Sequence, residues 1–520
     1  MPEREPIPEG LDDAARRGMA VAFHAGADPW RVAVVSPHGT LTYGELNARA
    51  NRLARALRRR GLRAGDSVAL LCANRPEFVV AFVAAQRSGL RLTPVNWHLT
   101  GPEAAYIVRD CDARALVADA RFADVARDAV ADGDTVRIAV AGSVEGFEDV
   151  DDVMAAEDGR DLEDATLGTT MLYTSGTTGR PKGVFRPDGL RADPTLAIRM
   201  HGYRAGDAHL CTGPMYHAAP MLFSLTIPLV AGVPIVVMDG WDARRALELV
   251  EEHRVTHTHM VPTMFHQLLA LPDDVRRAAD VSSLRSVWHG AAPCPVSVKR
   301  RIIEWFGPIV SEYYSATEGL GTFVDAATWL QHPGTVGRPW PADQVVVGDD
   351  EGNPLPAGEV GVVWLKAATV GRFEYHGDPE KTKQTYRGDY FTVGDLGYFD
   401  ADGFLYLTDR SADLIISGGV NVYPAEVDAV LLEHPAVGDA ATIGVPNPEW
   451  GEEVKAVVEL RPGVTASDTL ADELIAFCRD RLAHYKCPRS IDFVTTLPRS
   501  DTGKVYRRRL RDEYRTREST

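Results

Sequence analysis

The chain is 520 residues long, more than one ordinary hydrophobic core can organise, so roughly two to four folding units are expected. Hydrophobic residues at 45% and charged residues at 25% are globular values, which excludes a disordered or low-complexity chain. A net charge of −17 repels nucleic-acid phosphates and argues against a nucleic-acid partner, while leaving room for a local basic site for a small anion.

The six cysteines, Cys72, Cys111, Cys211, Cys294, Cys478 and Cys487, are scattered without a CxxC pair, as reduced thiols of a cytoplasmic protein are. The N-terminal stretch carries no apolar run of the signal-peptide kind. The longest apolar run, around Leu225 to Met238, is broken by Pro228 and Pro234 and is shorter than the roughly 20 residues that span a bilayer. A cytoplasmic protein with no membrane span is expected. Its oligomeric state cannot be read from the sequence.

Taken in chain order, Thr42 and Glu45 have the spacing of a capping box, and Leu46, Ala50, Leu53 and Leu57 follow at helical spacing. Val68 to Leu71 reads as a buried strand. Pro76 opens a helix that Gly89 ends, and Leu92 to Val95 and Ala115 to Ala118 repeat the strand signal. A strand at Thr170 to Tyr173 precedes a Gly- and Thr-rich loop. The same rhythm returns at Ile235 to Met238, the helix Ala243 to His253 and the strand Thr256 to Met260. Such βα units predict an α/β fold, with parallel-rich sheets covered by helices. From about residue 334 glycine and proline become frequent, and short alternating segments such as Val360 to Leu365 predict a small β-rich unit. Beyond about residue 410 come a helix from Pro424 to Glu433, a strand at Val454 to Leu460, a helix from Leu470 to Leu482 and a basic tail. The expected division is a large domain over 1–409, with its β-rich part at about 334–409, and a small mobile α+β lid over 410–520.

The most informative string is Thr174-Ser175-Gly176-Thr177-Thr178-Gly179-Arg180-Pro181-Lys182-Gly183. Glycines let backbone N–H groups approach an anion, hydroxyls add donors, and Lys182 adds a full charge, which together describe a polyphosphate clamp. It is not a Walker loop, because Gly183 rather than Ser or Thr follows the lysine and the metal must be held elsewhere. The string resembles the signature of the adenylate-forming superfamily, which includes acyl-CoA synthetases, peptide-synthetase adenylation domains and luciferases. Further motifs follow in the family's order, and the whole is most similar to stand-alone acyl-CoA synthetases.

The resemblance implies the remaining roles. Thr174, Ser175, Gly176, Thr177, Thr178, Gly179 and Lys182 would hold the ATP phosphates. In Tyr313-Tyr314-Ser315-Ala316-Thr317-Glu318, Tyr314 would stack on adenine beside Tyr313, Thr317 would contact the α-phosphate, and Glu318 would bind Mg2+. Ser315 stands where the family often has glycine and would narrow the acid pocket. Gly290, Ala291 and Ala292 would lie between adenine and the acyl group. Asp395 would hold the ribose. Arg410 would contact ribose or phosphate at a hinge whose second position is Ala412, where the family usually has Asp or Lys. Gly418 and Gly419 would line the thiol's path, and Lys504 would reach the carboxylate and α-phosphate. His217, Met221, His289, Gly290 and Ser315 are the candidate acid pocket. Ordinary core packing explains methionines such as Met221, Met260 and Met264 equally well.

The implied reaction joins a carboxylate to AMP, releases pyrophosphate and passes the acyl group to coenzyme A. Loading of a carrier protein, transfer to an amine, and adenylation of an unusual oxyacid such as nitrous acid remain open, as does, outside the class, a P-loop kinase or ATPase. His257 and His259 form an HxH pair of the kind that binds zinc, but no third ligand is evident and packed strand-end histidines are the expectation.

Overall fold

The computed structural model describes residues 7–131, 133–174, 181–187, 194–368, 371–410, 413–417, 420–447, 451–499 and 505–518. They fall into two compact units, one made of Met1–Met260, Leu271–Trp288 and Ala368–Gln384, the other of Val261–Ala270, His289–Ala367 and Thr385–Thr520.

The first unit is α/β. Its all-parallel sheet runs Glu148–Asp149, Val136–Val140, Ala113–Asp119, Ser67–Leu71, Arg91–Pro94, Thr169–Thr170. Every residue of Ser67–Leu71 is buried, as a strand covered on both faces requires. The helix Tyr43–Arg59 starts at a capping box, in which Thr42 accepts from the Glu45 N–H at 3.2 Å and Glu45 accepts from the Thr42 N–H at 2.8 Å. It buries Leu46, Ala50, Leu53 and Leu57. Pro76 opens the helix Pro76–Arg87, and Gly89 turns the chain at φ +69°. A second sheet runs Gly39–Thr42, Val32–Ser36, Ile235–Val237, His209–Cys211, His257–Met260 and on to Ser286–His289. The strand expected at Thr170 to Tyr173 is two strands. Thr169–Thr170 closes the parallel sheet, the Met171 N–H is still held by the Leu92 carbonyl at 2.9 Å, and Leu172–Thr174 leaves to begin a different, three-stranded sheet.

The second unit is richer in antiparallel structure. Val310–Ala316 and Gly319–Val324 form a hairpin that Arg338–Pro339 extends. Val345–Gly348, Gly361–Lys366, Tyr386–Arg387, Tyr390–Phe391, Asp395–Phe399 and Leu405–Arg410 form a six-stranded sheet, antiparallel throughout. The C-terminal segment is a smaller α+β fold with a sheet of Val420–Val422, Ile415–Ser417, Gly451–Leu460 and Val437–Asn447, to which Ser490–Val494 adds in parallel. Strand alternation feeds two cores. Val454, Ala456 and Val458 pack with Val427, Leu431 and Leu474, while Val457 packs with Leu510 and Tyr514 of the last helix. The helix expected at Leu470 to Leu482 is Asp468–Arg479, starting earlier because Ser467 accepts from the Leu470 N–H at 3.2 Å.

All six cysteines are free, five of them buried and Cys294 half-buried. Burial is the main cause that raises every one of their thiol pKa values. Among the described residues no helix is long and apolar enough to cross a membrane.

Replacing Thr42 by Ala removes the acceptor for the Glu45 N–H and is expected to cost about 1 kcal/mol, read as a lower urea midpoint at unchanged slope.

Candidate active site

In the first unit the phosphate-loop motif sits on a hairpin. Leu172–Thr174 pairs antiparallel with Lys182–Phe185 in a register that places Thr174 directly opposite Lys182. Both stems are tied to the helix Gly101–Asp110. The Tyr173 hydroxyl donates to Asp110 Oδ2 at 2.5 Å, and the Tyr106 hydroxyl donates to the Pro181 carbonyl at 3.2 Å. Burial first, and then the bond to Asp110, raises the Tyr173 phenol and keeps it protonated. A Cβ on Gly183 would lie 3.1 Å from Met171 Sδ and 3.2 Å from the Tyr173 ring, so only glycine sits there without displacing a neighbour. Lys182 Nζ lies 3.6 Å from Asp378 Oδ2 and 5.7 Å from the Tyr375 ring centroid. Ser175, Gly176, Thr177, Thr178 and Gly179 lie outside the described residues.

In the second unit the Tyr313–Glu318 motif is also a hairpin. Ala316 pairs with Gly319, which makes Thr317 and Glu318 its two-residue turn. The Tyr314 hydroxyl donates to Asp395 Oδ2 at 2.8 Å, and both residues are buried. Asp395 in turn is the register partner of Arg410 on the neighbouring strand. The structure thus brings Tyr314 and Asp395 together, with the Arg410 backbone alongside. Gly290 lies against Tyr313, where an added Cβ would meet the Tyr313 carbonyl oxygen at 2.6 Å and its ring at 2.7 Å. Across the hairpin, a Cβ on Gly321 would strike the Tyr314 ring at 2.7 Å. Ala291 takes a left-handed φ of +68°, which a residue with a Cβ rarely adopts, and Ala292 follows it in the same loop. Ala412, Gly418, Gly419 and Lys504 lie outside the described residues, as does the Arg410 side chain.

The candidate acid-pocket residues divide between the units. His217 and Met221 are in the first, and His289, Gly290 and Ser315 are in the second. His217 is half-buried beside Tyr216, at 4.5 Å between ring centroids. Burial, with repulsion from His98, lowers its pKa to about 4, so it is neutral at pH 7. Tyr216 meets Trp97 edge to face at 6.2 Å, and Trp97 stacks on Phe122 at 5.4 Å. Met221 lies in a run of π-helix, Pro220–Thr226, a distortion common at functional sites.

The description "AMP-binding enzyme" matches residues 21–373, and "AMP-binding enzyme C-terminal domain" matches residues 426–504. The chain belongs to the AMP-binding enzyme family. It is 35% identical over 499 residues to a feruloyl-CoA synthase of an Amycolatopsis species, covering 94% of this chain and 99% of that one. It is 33% identical to the fatty acid–[acyl-carrier-protein] ligase ScoC of Streptomyces coeruleorubidus, covering 95% of each. Among solved structures it is similar to the anthranilate CoA ligase AuaEII in complex with anthranoyl-AMP, with a TM-score of 0.85 at 28% identity over 96% of this chain and 98% of that one. As a member of this family the enzyme binds ATP and activates an acid by forming an adenylate.

Several residues of this AMP-binding enzyme escaped the motif reading. Tyr106 and Asp110 anchor the phosphate hairpin from a distant helix, and Asp378 faces Lys182 from far along the chain. None of these carries a local sequence signal, since each acts by a tertiary contact. The HxH pair is core. His257 stacks on Tyr203 at 4.1 Å, and His259 stacks on Phe223 at 5.2 Å. Tyr203 and His209 Nδ1 are hydrogen-bonded at 2.7 Å, and His201 leans on Trp288 at 4.7 Å. Among the described residues, neither histidine of the pair belongs to a group placed to share a metal ion; the one such group is His332, Asp400 and Asp402.

Burial lowers His201 to about 4 and His257 and His259 to about 3, with His209 also well below its ordinary value. The folded state therefore keeps these rings neutral while the unfolded chain protonates them near pH 6.5. Their contribution is complete above pH 6.5 and falls as pH drops through the window from 6.5 to about 3–4. At pH 5 His201, His257 and His259 are each expected to destabilise the fold by about 2 kcal/mol relative to pH 7. Urea titrations at pH 7, 6 and 5 should show a steep fall in stability, and His259→Phe should flatten it.

Proposed function

We propose that the enzyme is an acid–coenzyme A ligase acting on an aromatic or medium-sized apolar acid. A carboxylate oxygen of the acid attacks the α-phosphorus of ATP, the bond to the bridging oxygen of pyrophosphate breaks, and acyl-AMP remains bound. The thiol sulfur of coenzyme A then attacks the acyl carbon, the thiol proton passes to solvent, and AMP leaves. The observation that carries the reading is the Tyr314–Asp395 hydrogen bond, with Arg410 in register beside it, because it sets an aromatic face and a carboxylate where a nucleoside needs both.

In this reading Thr174, Lys182 and the loop residues Ser175 to Gly179 hold the phosphates, and Thr317 meets the α-phosphate. Tyr314, Tyr313 and the segment Gly290 to Ala292 flank adenine, and Asp395 takes the ribose hydroxyls. A cation on Lys182 and another on Lys504 offset the repulsion between the incoming carboxylate and the phosphates as charge develops. The Thr317–Glu318 turn carries a hydroxyl and a carboxylate, hard oxygen donors of the kind Mg2+ takes, so Glu318 is the proposed Mg2+ ligand. Bound there, Mg2+ supplies charge neutralisation on the nucleotide. The segment after residue 410 is proposed as the lid, hinged at Arg410 and Ala412, which withdraws Lys504 and presents Gly418 and Gly419 to the thiol.

Support for the acid class comes from Tyr216, whose ring lies beside His217 and meets Trp97 edge to face, and from similarity to a feruloyl-CoA synthase and an anthranilate CoA ligase. A neutral His217 can border such a path without drawing the carboxylate to itself. Similarity to ScoC favours one second reading, transfer to a carrier protein.

Lys504→Ala should reduce acid-dependent ATP–pyrophosphate exchange by about 100-fold or more while sparing thiolysis of supplied acyl-AMP. Equal loss of both half-reactions would remove Lys504 from its role. A panel of aryl, fatty and inorganic acids, each with coenzyme A, a carrier or an amine, should give AMP and acyl-CoA with aryl acids. Release of ADP instead would end the reading.

A further inference from the structure

The loop 290–295 starts just after His289 and ends where the helix Val296–Phe306 begins. A charged pair that adenylation chemistry does not require is buried against both ends of it. Lys299, on the first turn of that helix, has no solvent exposure, and its Nζ lies 2.5 Å from Glu312 Oε2. His289, equally buried, places Nε2 3.6 Å from the same oxygen, too far for a hydrogen bond. The Trp329 ring caps the Lys299 ammonium at 4.6 Å, and Phe265 meets His289 edge to face at 5.1 Å. Glu312 itself sits on the strand Val310–Ala316, immediately before Tyr313 and Tyr314.

Burial raises Glu312 and lowers Lys299, each partner opposing the other's shift. Such a pair adds little stability by itself, because removing two charges from water costs about as much as their attraction returns. It does fix geometry. The loop holds Ala291 at φ +68° and Gly290 against the Tyr313 carbonyl, and a strained backbone of this kind persists only where its surroundings over-determine it. Lys299, from the helix that follows the loop, bonds the carboxylate of the tyrosine strand, and His289, which precedes the loop, lies beside the same oxygen at 3.6 Å.

We infer that Glu312 and Lys299 are positioning residues for nucleotide binding, tying the helix that ends the 290–295 loop to the strand that carries Tyr313 and Tyr314. The role rests on the proposed assignment of that loop and Tyr314 to adenine.

The test replaces both charges by similar volume, Lys299→Met with Glu312→Met, and measures the melting temperature together with calorimetric affinities for AMP and for inorganic tripolyphosphate. The double variant should melt within a few degrees of the parent enzyme and bind AMP about tenfold more weakly or worse, with tripolyphosphate affinity unchanged. The loss in kcat/KM for ATP should appear in KM. Parental AMP affinity in a folded double variant would overturn the role. Glu312→Asp, which keeps the charge but retracts the oxygen by one carbon, provides the same reading should the double variant not fold: weaker AMP binding supports the role, and unchanged binding overturns it. Tyr314→Ala separates the two levels, since a variant that keeps full AMP affinity would remove the adenine assignment itself and the positioning role with it.

Discussion

Tyrosine rings laid against glycine backbone recur at all three motif segments of this enzyme. Tyr173 lies on Gly183, Tyr313 on Gly290 and Tyr314 on Gly321, each so close that a Cβ would have to displace the ring or its carbonyl. A ring held this way loses its rotational freedom to a backbone rather than to another flexible side chain. Its polar end is then set by a hydrogen-bond partner, as Asp110 does for Tyr173 and Asp395 does for Tyr314. A residue larger than glycine at 290 or 321 would force the motif to shift, while one at 183 would crowd its neighbours by a few tenths of an ångström.

The same economy shapes the elements that carry the chemistry. Each lies on a short hairpin whose register is enforced by backbone hydrogen bonds, so residues far apart in the loop are neighbours across the ladder. Thr174 faces Lys182, and Ala316 faces Gly319 with Thr317 and Glu318 between them. Asp395 faces Arg410 across a third pair of strands. In each unit the remaining strands and helices supply the frame, and the hairpins carry the few groups whose positions matter.

Local signals in the chain proved sufficient for the frame. The Thr42–Glu45 capping box, the Pro76 helix start and the buried run Ser67–Leu71 all appear where spacing and composition place them. Boundaries moved where a neighbour decided them: Met171 is held by Leu92, which divides one expected strand into two. The glycine-rich string was readable as an anion clamp because backbone approach demands glycine and donors at fixed spacing, whereas the tyrosine and aspartate motifs were readable only through their resemblance to the family's. The Lys299–Glu312 pair was not, since a lysine on a helix and a glutamate at a strand start look solvated until the fold buries both. The histidines 201, 209, 257 and 259 were equally opaque. Only two of them, His257 and His259, form a visible pattern, and the packing expected for that pair is what the fold supplies.

An acyl-adenylate is a potent acylating agent, and any accessible thiolate would intercept it. This enzyme's six thiols are withdrawn from that competition, five by burial and Cys294 by half-burial near Glu312, and all are held protonated by pKa values above the ordinary range. Burial thus lowers the thiolate fraction of all six sulfurs, and with it their reactivity toward the activated acid.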